Sequence, residues 1–309
     1  MTIEQDLRAM SASLRNEFAL VKRMAKEGRM DLATEELEFA KDMLDKYIAK
    51  LDKLHGAKVG IAGFIFRHTY QVPEEFLKLA IALDGEAKRL DQQFNKKNQQ
   101  AENQTNRQNA KIKKAVESLK MGELVVLPTE TVYGLFADAT NEAAVQKIYS
   151  VKGRPTEKAL NMNVASFEDI LKYSQNQPVY LKKLVEKFLP GPLTIILEAS
   201  KEVPEWIHIG KTTVGFRMPK IEVTQEVIKK IGVLVGPSAN LTGSPSPRFF
   251  SDLTSEILSN AAIALKDDSI YGLDTTIIDL TGTSPQLLRQ GAITREELLA
   301  ALPELSEIK

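Results

Sequence analysis

A run of fifteen residues with alanine as its only apolar member divides this chain into two parts. Residues 95–109 read NKKNQQAENQTNRQN, and such a segment buries too little apolar surface to offset the entropy of ordering it. We therefore predict a polar linker here, or the frayed continuation of a helix. The chain has 309 residues, enough for a separate core on each side, in domains of residues 1–94 and 110–303.

The first part has the periodicity of helices. Apolar side chains recur every three or four residues and predict one helix from about Asp31 to Leu54. Gly28 ends the preceding helix, which makes the two a hairpin, and Pro73 suits the first turn of a third helix. We expect a small all-α bundle; the alternative is that the apolar stripes serve dimerisation or partner docking. The stripe on the second helix comprises Leu37, Ala40, Leu44, Tyr47, Leu51 and Leu54.

Beyond Ala110, short β-rich runs alternate with helical stretches, which predicts an α/β domain with a largely covered sheet. The last two runs are close enough to pair antiparallel, so the sheet should be mixed. The predicted strands are Leu124–Leu127, Leu193–Leu197, Val214–Phe216, Val233–Val235, Thr275–Ile278 and Gln286–Leu288. The predicted helices are Glu142–Val151, Val179–Phe188, Val223–Ile231 and Arg295–Leu302.

Composition excludes several kinds of chemistry. There is no cysteine, which removes disulfides, thiolate metal sites and cysteine nucleophiles, and fits a reducing compartment. The 41 basic and 41 acidic side chains give no sign of a general affinity for nucleic acid or membrane. The N-terminus lacks a secretory signal, and we expect a cytoplasmic protein. Phosphate-loop, dinucleotide-loop and zinc-protease motifs are missing from the sequence, and no histidine lies at a spacing that suggests a catalytic triad.

Two groups of polar residues flank predicted strands. In PTETVYGL, residues 128–135, the hydroxyls of Thr129 and Thr131 can bind a small polar ligand or cap a turn. Further on, Thr275 begins one strand of the antiparallel pair and Arg289 ends the other. An arginine in that position can contact phosphate or extend to solvent.

Three cations in KGRPTEKAL, residues 152–160, are separated by even numbers of residues. Pro155 favours an extended conformation at the residue before it. In an extended segment Lys152, Arg154 and Lys158 would point the same way and could bind a triphosphate. The alternative is a solvated charge run.

The last candidate region combines TTVGFRMP with VGPSANLTGSPSP. Arg217 ends a strand and can hold a carboxylate with two parallel hydrogen bonds. Gly236 allows close approach of a ligand to the backbone, while Ser238, Asn240 and Ser246 supply donors. Glycine and proline here can also be ordinary turn residues. The residues alone therefore indicate an α/β domain that binds a small anionic or phosphorylated ligand.

Seven motifs, taken in order, resemble the YrdC family over nearly all of residues 110–303. They are PTETVYGL, KGRPTEK, PGPLTIIL, the RMP after a strand, PSANLTGSPSP, TTIIDL and LRQGAI. The resemblance implies a twisted mixed sheet with a concave active-site face. It also implies an enzyme, a nucleotidyltransferase that condenses L-threonine, bicarbonate and ATP into threonylcarbamoyl-AMP and releases pyrophosphate. The product would pass to the tRNA threonylcarbamoyl transferase proteins that make threonylcarbamoyladenosine.

The resemblance also implies roles for individual residues. No covalent nucleophile and no protein metal ligand are expected, and Mg²⁺ would be held by ATP. The residues implied for ATP are Lys152, Arg154, Lys158, Thr213, Ser238, Asn240, Ser246 and Arg289. The residues implied for threonine are Thr131, Arg217, Gly236 and Thr275.

Four positions depart from the pattern of the family, and they leave a second function open. The departures are Phe136, Ala159, Thr275 and Gln290. They are compatible with a paralogue that has altered carbamoyl-transfer activity. A different alternative is an RNA-binding protein that uses the concave face, but stable RNA binding is not expected, because the cations are few and confined to motif loops.

Overall fold

The computed structural model describes residues 3–55, 74–267 and 273–305. The chain forms two compact units, Met1–Asn106 and Arg107–Lys309, and their boundary falls inside the polar run of residues 95–109. None of the helices in the described ranges is long and apolar enough to cross a membrane.

The first unit is helical, as predicted. It contains α1 (Ile3–Lys26), α2 (Met30–His55) and the first part of α3 (Glu74–Lys120). Gly28 has a φ of +79°, which glycine adopts without strain, and this lets the chain reverse between α1 and α2. The described members of the predicted stripe on α2 are buried in one core with apolar residues of α1 and α3, so the stripe packs within the unit. The side chain of Leu54 and the whole of Pro73 lie outside the described residues.

The polar run of residues 95–109 is helical and lies within α3, so the prediction of a linker is corrected and the alternative, the continuation of a helix, is the one that holds. The run contains neither glycine nor proline, and its four glutamines, two lysines, alanine, glutamate and arginine all favour helix. A helix satisfies its backbone hydrogen bonds internally and needs no buried face along its whole length. Apolar residues on either side, Phe94 in the first core and Ile112 in the second, anchor the helix where the polar run stops.

The second unit is the predicted mixed α/β domain. Its described residues form one ten-stranded sheet in the order β10-β9-β5-β6-β3-β7-β2-β1-β8, with β4 paired to β5. The strands are β1 (Leu124–Leu127), β2 (Gly134–Asp138), β3 (Met162–Asn163), β4 (Ser174–Gln175), β5 (Leu193–Ala199), β6 (Thr213–Arg217), β7 (Leu234–Val235), β8 (Ala261–Ala264), β9 (Thr276–Asp279) and β10 (Gln286–Arg289). The helices are α4 (Glu142–Lys152), α5 (Phe167–Tyr173), α6 (Leu181–Phe188), α7 (Glu205–His208), α8 (Glu222–Ile231), α9 (Ser255–Ser259) and α10 (Arg295–Ala301).

Both faces of the sheet carry a core, as the sequence predicted. Along β1, Leu124 and Val126 belong to a large cluster on one face, while Val125 and Leu127 belong to a smaller cluster on the other. The smaller cluster includes the end of α3 and the apolar side of α8. The predicted antiparallel pairing of β9 with β10 is confirmed.

Candidate active site

Three polar side chains lie next to one another across the sheet, on the face that carries the smaller core. Asn163 on β3 is in register with Arg217 on β6, and Arg217 is in register with Thr194 on β5. Neighbouring strands are about 4.8 Å apart, and residues in register point to the same face. All three residues line one cavity, so the sheet itself brings them together.

Eight of the twelve predicted binding residues line this cavity. They come from the loops that precede β2 and follow α4 and β7, from the end of β6, and from the β9–β10 region. The eight are Thr131, Arg154, Arg217, Gly236, Ser238, Ser246, Thr275 and Arg289. Most of the predicted constellation therefore converges on one place, although its strands are far apart in sequence.

Lys152, Lys158, Thr213 and Asn240 do not line the cavity. The extended geometry predicted for the three cations is wrong, because Lys152 is the last residue of α4 and a left-handed Gly153 follows it. Lys158 is exposed on the loop beyond. Thr213 lies on β6 four residues before Arg217, which places it about 13 Å away along the strand.

Lys152 supports the loop that follows β7. Its side chain is buried, and its ammonium group donates hydrogen bonds to the backbone carbonyls of Ser238 and Asn240. Burial and the nearby charge of Arg154 lower the pKa of Lys152 to about 8, which leaves the ammonium mainly protonated at neutral pH. The side-chain oxygen of Asn240 accepts from the Ser238 hydroxyl at 2.5 Å. Lys152 and Asn240 thus hold Ser238 at the cavity.

Arg154 closes its own loop and also faces the cavity. Its Nε donates to the carbonyl of Lys158 at 3.2 Å, and its Nη2 donates to the carbonyl of Ala159 at 2.9 Å. The fork is therefore held in place before it meets any ligand. A pre-positioned guanidinium suits the recognition of phosphate oxygens.

Arg217 is held on one side by the PTET segment. Its Nη2 lies 2.9 Å from the Thr129 hydroxyl, 3.0 Å from a carboxylate oxygen of Glu130 and 2.6 Å from the Thr131 hydroxyl. Its Nε is buried and has no hydrogen-bond partner among the described residues. The guanidinium is therefore engaged through Nη2, while its buried Nε–H is left for a ligand.

A third arginine is fixed around Thr275. Arg289 donates from Nε to the carbonyl of Thr275 at 2.9 Å and from Nη2 to its hydroxyl at 2.8 Å. The same hydroxyl lies 3.2 Å from the hydroxyl of Thr194. Asp274 is 3.8 Å from Nη1 of Arg289, and this pair is half exposed. Thr275 thus links the centre of the sheet to the arginine of β10.

Sequence reasoning missed four polar residues of the cavity, namely Asn161, Asn163, Thr194 and Asp274. Asn163 is the most informative, because it is 1% exposed and neither atom of its amide has a hydrogen-bond partner among the described residues. Buried amides without partners are rare in proteins. A usable signal was the Asn-Met-Asn alternation of residues 161–163, since asparagine is depleted in strands.

Phe136, one of the four departures noted in the sequence, fills space beside the cavity. Its ring is buried on the same face of the sheet as the cavity and packs against two glycines. A Cβ built on Gly134 would lie 2.5 Å from this ring, and one built on Gly236 would lie 2.2 Å from it. The phenylalanine thus takes up space beside the cavity wall that side chains at those two positions would need.

We expect Gly236→Ala to lower the free energy of unfolding by about 1–3 kcal/mol, the usual cost of overpacking a core. Thermal unfolding measures the effect. Phe136→Leu should recover part of the loss in the double variant, because the two positions share one space. Gly85→Ala is the matched control: with nothing within 4 Å of its added Cβ, in the middle of α3, it should be neutral or stabilising. Equal losses in the two alanine variants would contradict the crowding at Gly236.

Within the described ranges, no group of three or more histidine and acidic side chains is placed to hold a metal ion. The cavity is lined instead by two asparagines, several hydroxyls, one aspartate and three arginines. This donor set suits an anionic ligand with carboxylate and phosphate groups.

Comparison with known proteins identifies a family that matches most of the second unit. Residues 117–291 match the Sua5/YciO/YrdC family model, whose description is telomere recombination. The chain is similar to the threonylcarbamoyl-AMP synthase of Pyrococcus abyssi, at 36% identity over 63% of this chain and 58% of the relative. It is similar to the enzyme of the same name from Bacillus subtilis, at 34% identity over 62% of this chain and 56% of the relative.

A solved structure shows the same likeness. The crystal structure of P. abyssi Sua5 complexed with L-threonine matches with a TM-score of 0.58 and 36% identity, over 62% of this chain and 57% of that one. The chain thus spans somewhat more than half the length of the relatives it matches. In each comparison, the matched share of this chain is a little under two thirds.

Proposed function

The chain belongs to the Sua5/YciO/YrdC family, and from this premise we propose that its second unit synthesises threonylcarbamoyl-AMP from L-threonine, bicarbonate and ATP. One observation carries the proposal. Arg217 Nε and the Asn163 amide are buried, unpartnered among the described residues and adjacent across two strands at the cavity. Buried donors without partners are costly, and a bound carboxylate would satisfy them.

Threonine would bind at this part of the cavity. Its carboxylate would accept from Arg217, while the hydroxyls of Thr131 and Thr275 and the backbone at Gly236 would surround the rest of the molecule. A similar protein, P. abyssi Sua5, was crystallised with L-threonine, which supports this choice of amino acid. A carboxylate held between a guanidinium and an amide would leave the amino group free to react.

ATP would bind on the side of Arg154 and Arg289, with Ser238 and Ser246 contacting the nucleotide. Lys152 and Asn240 would contribute by holding the Ser238 loop. Lys158 and Thr213 remain candidates only for parts of ATP that extend beyond the cavity, because neither lines it. Magnesium would be held by the phosphate oxygens and water, as is common for nucleotide substrates.

The reaction needs positioning and charge neutralisation more than a protein nucleophile. The threonine amine would attack the carbon of bicarbonate, with loss of water, or that of carbon dioxide, with loss of a proton, to give a carbamate. A carbamate oxygen would then attack the α-phosphorus of ATP, and pyrophosphate would leave. The fixed forks of Arg154 and Arg289 would stabilise the charge that develops on the phosphates. The product would pass to proteins that modify tRNA. The lack of cysteine in the chain fits a cytoplasmic location for this reaction.

Pyrophosphate release tests the proposal. The purified chain should release pyrophosphate from ATP when L-threonine and bicarbonate are both present, and should stop when either is omitted. Release without threonine would indicate a paralogue with a different acceptor. No release under any condition would count against the synthesis itself, and salt-sensitive RNA binding by such a protein would favour the RNA-binding alternative.

We expect a truncated chain that begins at Arg107 to keep the proposed activity. Every residue that lines the cavity belongs to the second unit, which has two apolar cores of its own. Pyrophosphate release by the truncated and full-length chains should agree within about threefold, since domains with their own cores can fold alone. A truncated chain that unfolds cooperatively but is inactive would show that the helical unit contributes to the reaction.

A further inference from the structure

Glu130 is a buried acidic residue with no role in the chemistry proposed above. It lies in the loop between β1 and β2 and is 1% exposed. A buried carboxylate needs partners for both oxygens, because desolvation of an unpaired charge is costly. The two oxygens of Glu130 accept hydrogen bonds from two different donors near the end of β6.

One oxygen of Glu130 accepts from Nη2 of Arg217 at 3.0 Å, and the other accepts from the backbone N–H of Lys220 at 2.8 Å. The carboxylate therefore connects the last residue of β6 to the turn three residues beyond it. The side chain of Arg217 is only 12% exposed, so solvent does little to screen this pair. The contact restrains both the arginine and the backbone that carries it.

The pairing decides which nitrogen of Arg217 a ligand can use. Nη2 has two hydrogens, and three acceptors surround it, on Thr129, Glu130 and Thr131. This nitrogen is therefore committed to the loop, whereas the buried Nε has no partner among the described residues. Nε lies on the same face as the amide of Asn163, which is in register with Arg217.

We propose that Glu130 is a positioning residue, which holds the guanidinium of Arg217 so that its Nε–H faces the carboxylate of the substrate. The inference rests on the proposed function for the identity of that substrate. The proposal predicts whether threonine binds more tightly or more weakly once Glu130 is neutral. The negative charge of Glu130 weakens the attraction of Arg217 for another carboxylate, so a role in charge alone predicts tighter threonine binding once Glu130 is neutral. A positioning role predicts weaker binding.

Three variants separate these roles. Glu130→Gln removes the charge and replaces one of the two acceptor oxygens by an NH2 donor, so either Arg217 or Lys220 then faces a donor. Glu130→Asp keeps the charge but is one methylene too short to span both donors. Gln225→Met is the matched control, because buried Gln225 donates to the carbonyl of Pro219 at 2.7 Å and thus anchors the same turn without touching Arg217.

Nuclear magnetic resonance tests the positioning without reference to any reaction. The Nε–H signal of Arg217 can be assigned by its loss in Arg217→Lys. In the unaltered protein and in Gln225→Met, this proton should exchange slowly with water. In both Glu130 variants its exchange should be at least about tenfold faster. Slow exchange in a folded Glu130 variant would overturn the proposal, and so would the failure of both variants to fold, since Glu130 would then be structural only.

Kinetics test the consequence for the substrate. Each Glu130 variant should raise the threonine KM about tenfold to a hundredfold, the cost of losing a hydrogen bond to a charged group, with the ATP KM almost unchanged. In an Arg217→Lys background the same substitution should have little further effect, because the residue acts through Arg217. Additive effects, or a lower threonine KM in Glu130→Gln, would overturn the proposal. If the unaltered protein shows no threonine-dependent reaction, the proposed function fails while the exchange measurement still decides the role of Glu130.

Discussion

Replacing Arg217 by lysine should raise the threonine KM about a hundredfold, because a lysine offers a point charge in place of a planar fork. The ammonium group cannot satisfy the acceptors of the PTET segment and at the same time direct a second donor toward the ligand. The fall in kcat/KM for threonine then measures the lost interaction. ATP should bind almost as before, since its proposed contacts are on Arg154, Arg289 and the Ser238 loop.

Steady-state kinetics with each substrate varied in turn measure this effect. Arg248→Lys is a suitable control, because Arg248 is exposed and does not line the cavity. A threonine KM that is unchanged in Arg217→Lys would mean that the carboxylate is held elsewhere. A rise in the ATP KM alone would move Arg217 to the nucleotide side.

Replacing Asn163 by leucine should have two effects of opposite sign. The amide of Asn163 is buried without a hydrogen-bond partner among the described residues, so an apolar side chain of similar size should raise the free energy of unfolding by about 1–3 kcal/mol. The same change removes a donor and an acceptor from the cavity. The threonine kcat/KM should therefore fall about tenfold to a hundredfold.

Gln225→Met provides the contrast for Asn163→Leu. Gln225 is also a buried amide, but it donates to the carbonyl of Pro219 and is needed there. Its replacement should lower the free energy of unfolding and leave threonine kinetics unchanged. Thermal unfolding and steady-state kinetics on both variants distinguish a binding role of Asn163 from a structural one. If Asn163→Leu were less stable than the unaltered protein and kept its threonine kinetics, Asn163 would be a structural residue.

The sequence predicted those parts of the fold that show a period or a short apolar run. The stripe of α2 has a helical period, and β1, β5 and β6 are short runs rich in apolar and β-branched residues; the structure confirms all four. Strand β3 was missed, because its two residues, a methionine and an asparagine, form no apolar run. That short strand carries Asn163, so a strand without a signal in the sequence supplies a buried amide that lines the cavity.

The errors at the cations and at the polar run have local causes. Even spacing predicts a common direction only in an extended segment, and α4 continues to Lys152 before Gly153 ends it. Composition alone cannot distinguish a linker from an exposed helix, since neither buries a face. The role of Glu130 depends on a contact with Arg217, a residue 87 positions away, and spacing along the chain contains no sign of that contact.

The most direct test of the proposed synthesis is the identity of its product. The protein is incubated with ATP, L-threonine and ¹³C-labelled bicarbonate, and the nucleotides are analysed by mass spectrometry. We predict an adenylate that contains one threonine and one labelled carbon, formed in step with pyrophosphate. Only AMP or ADP in the nucleotide fraction, or an adenylate without the labelled carbon, would contradict the claim that this cavity joins threonine, bicarbonate and ATP.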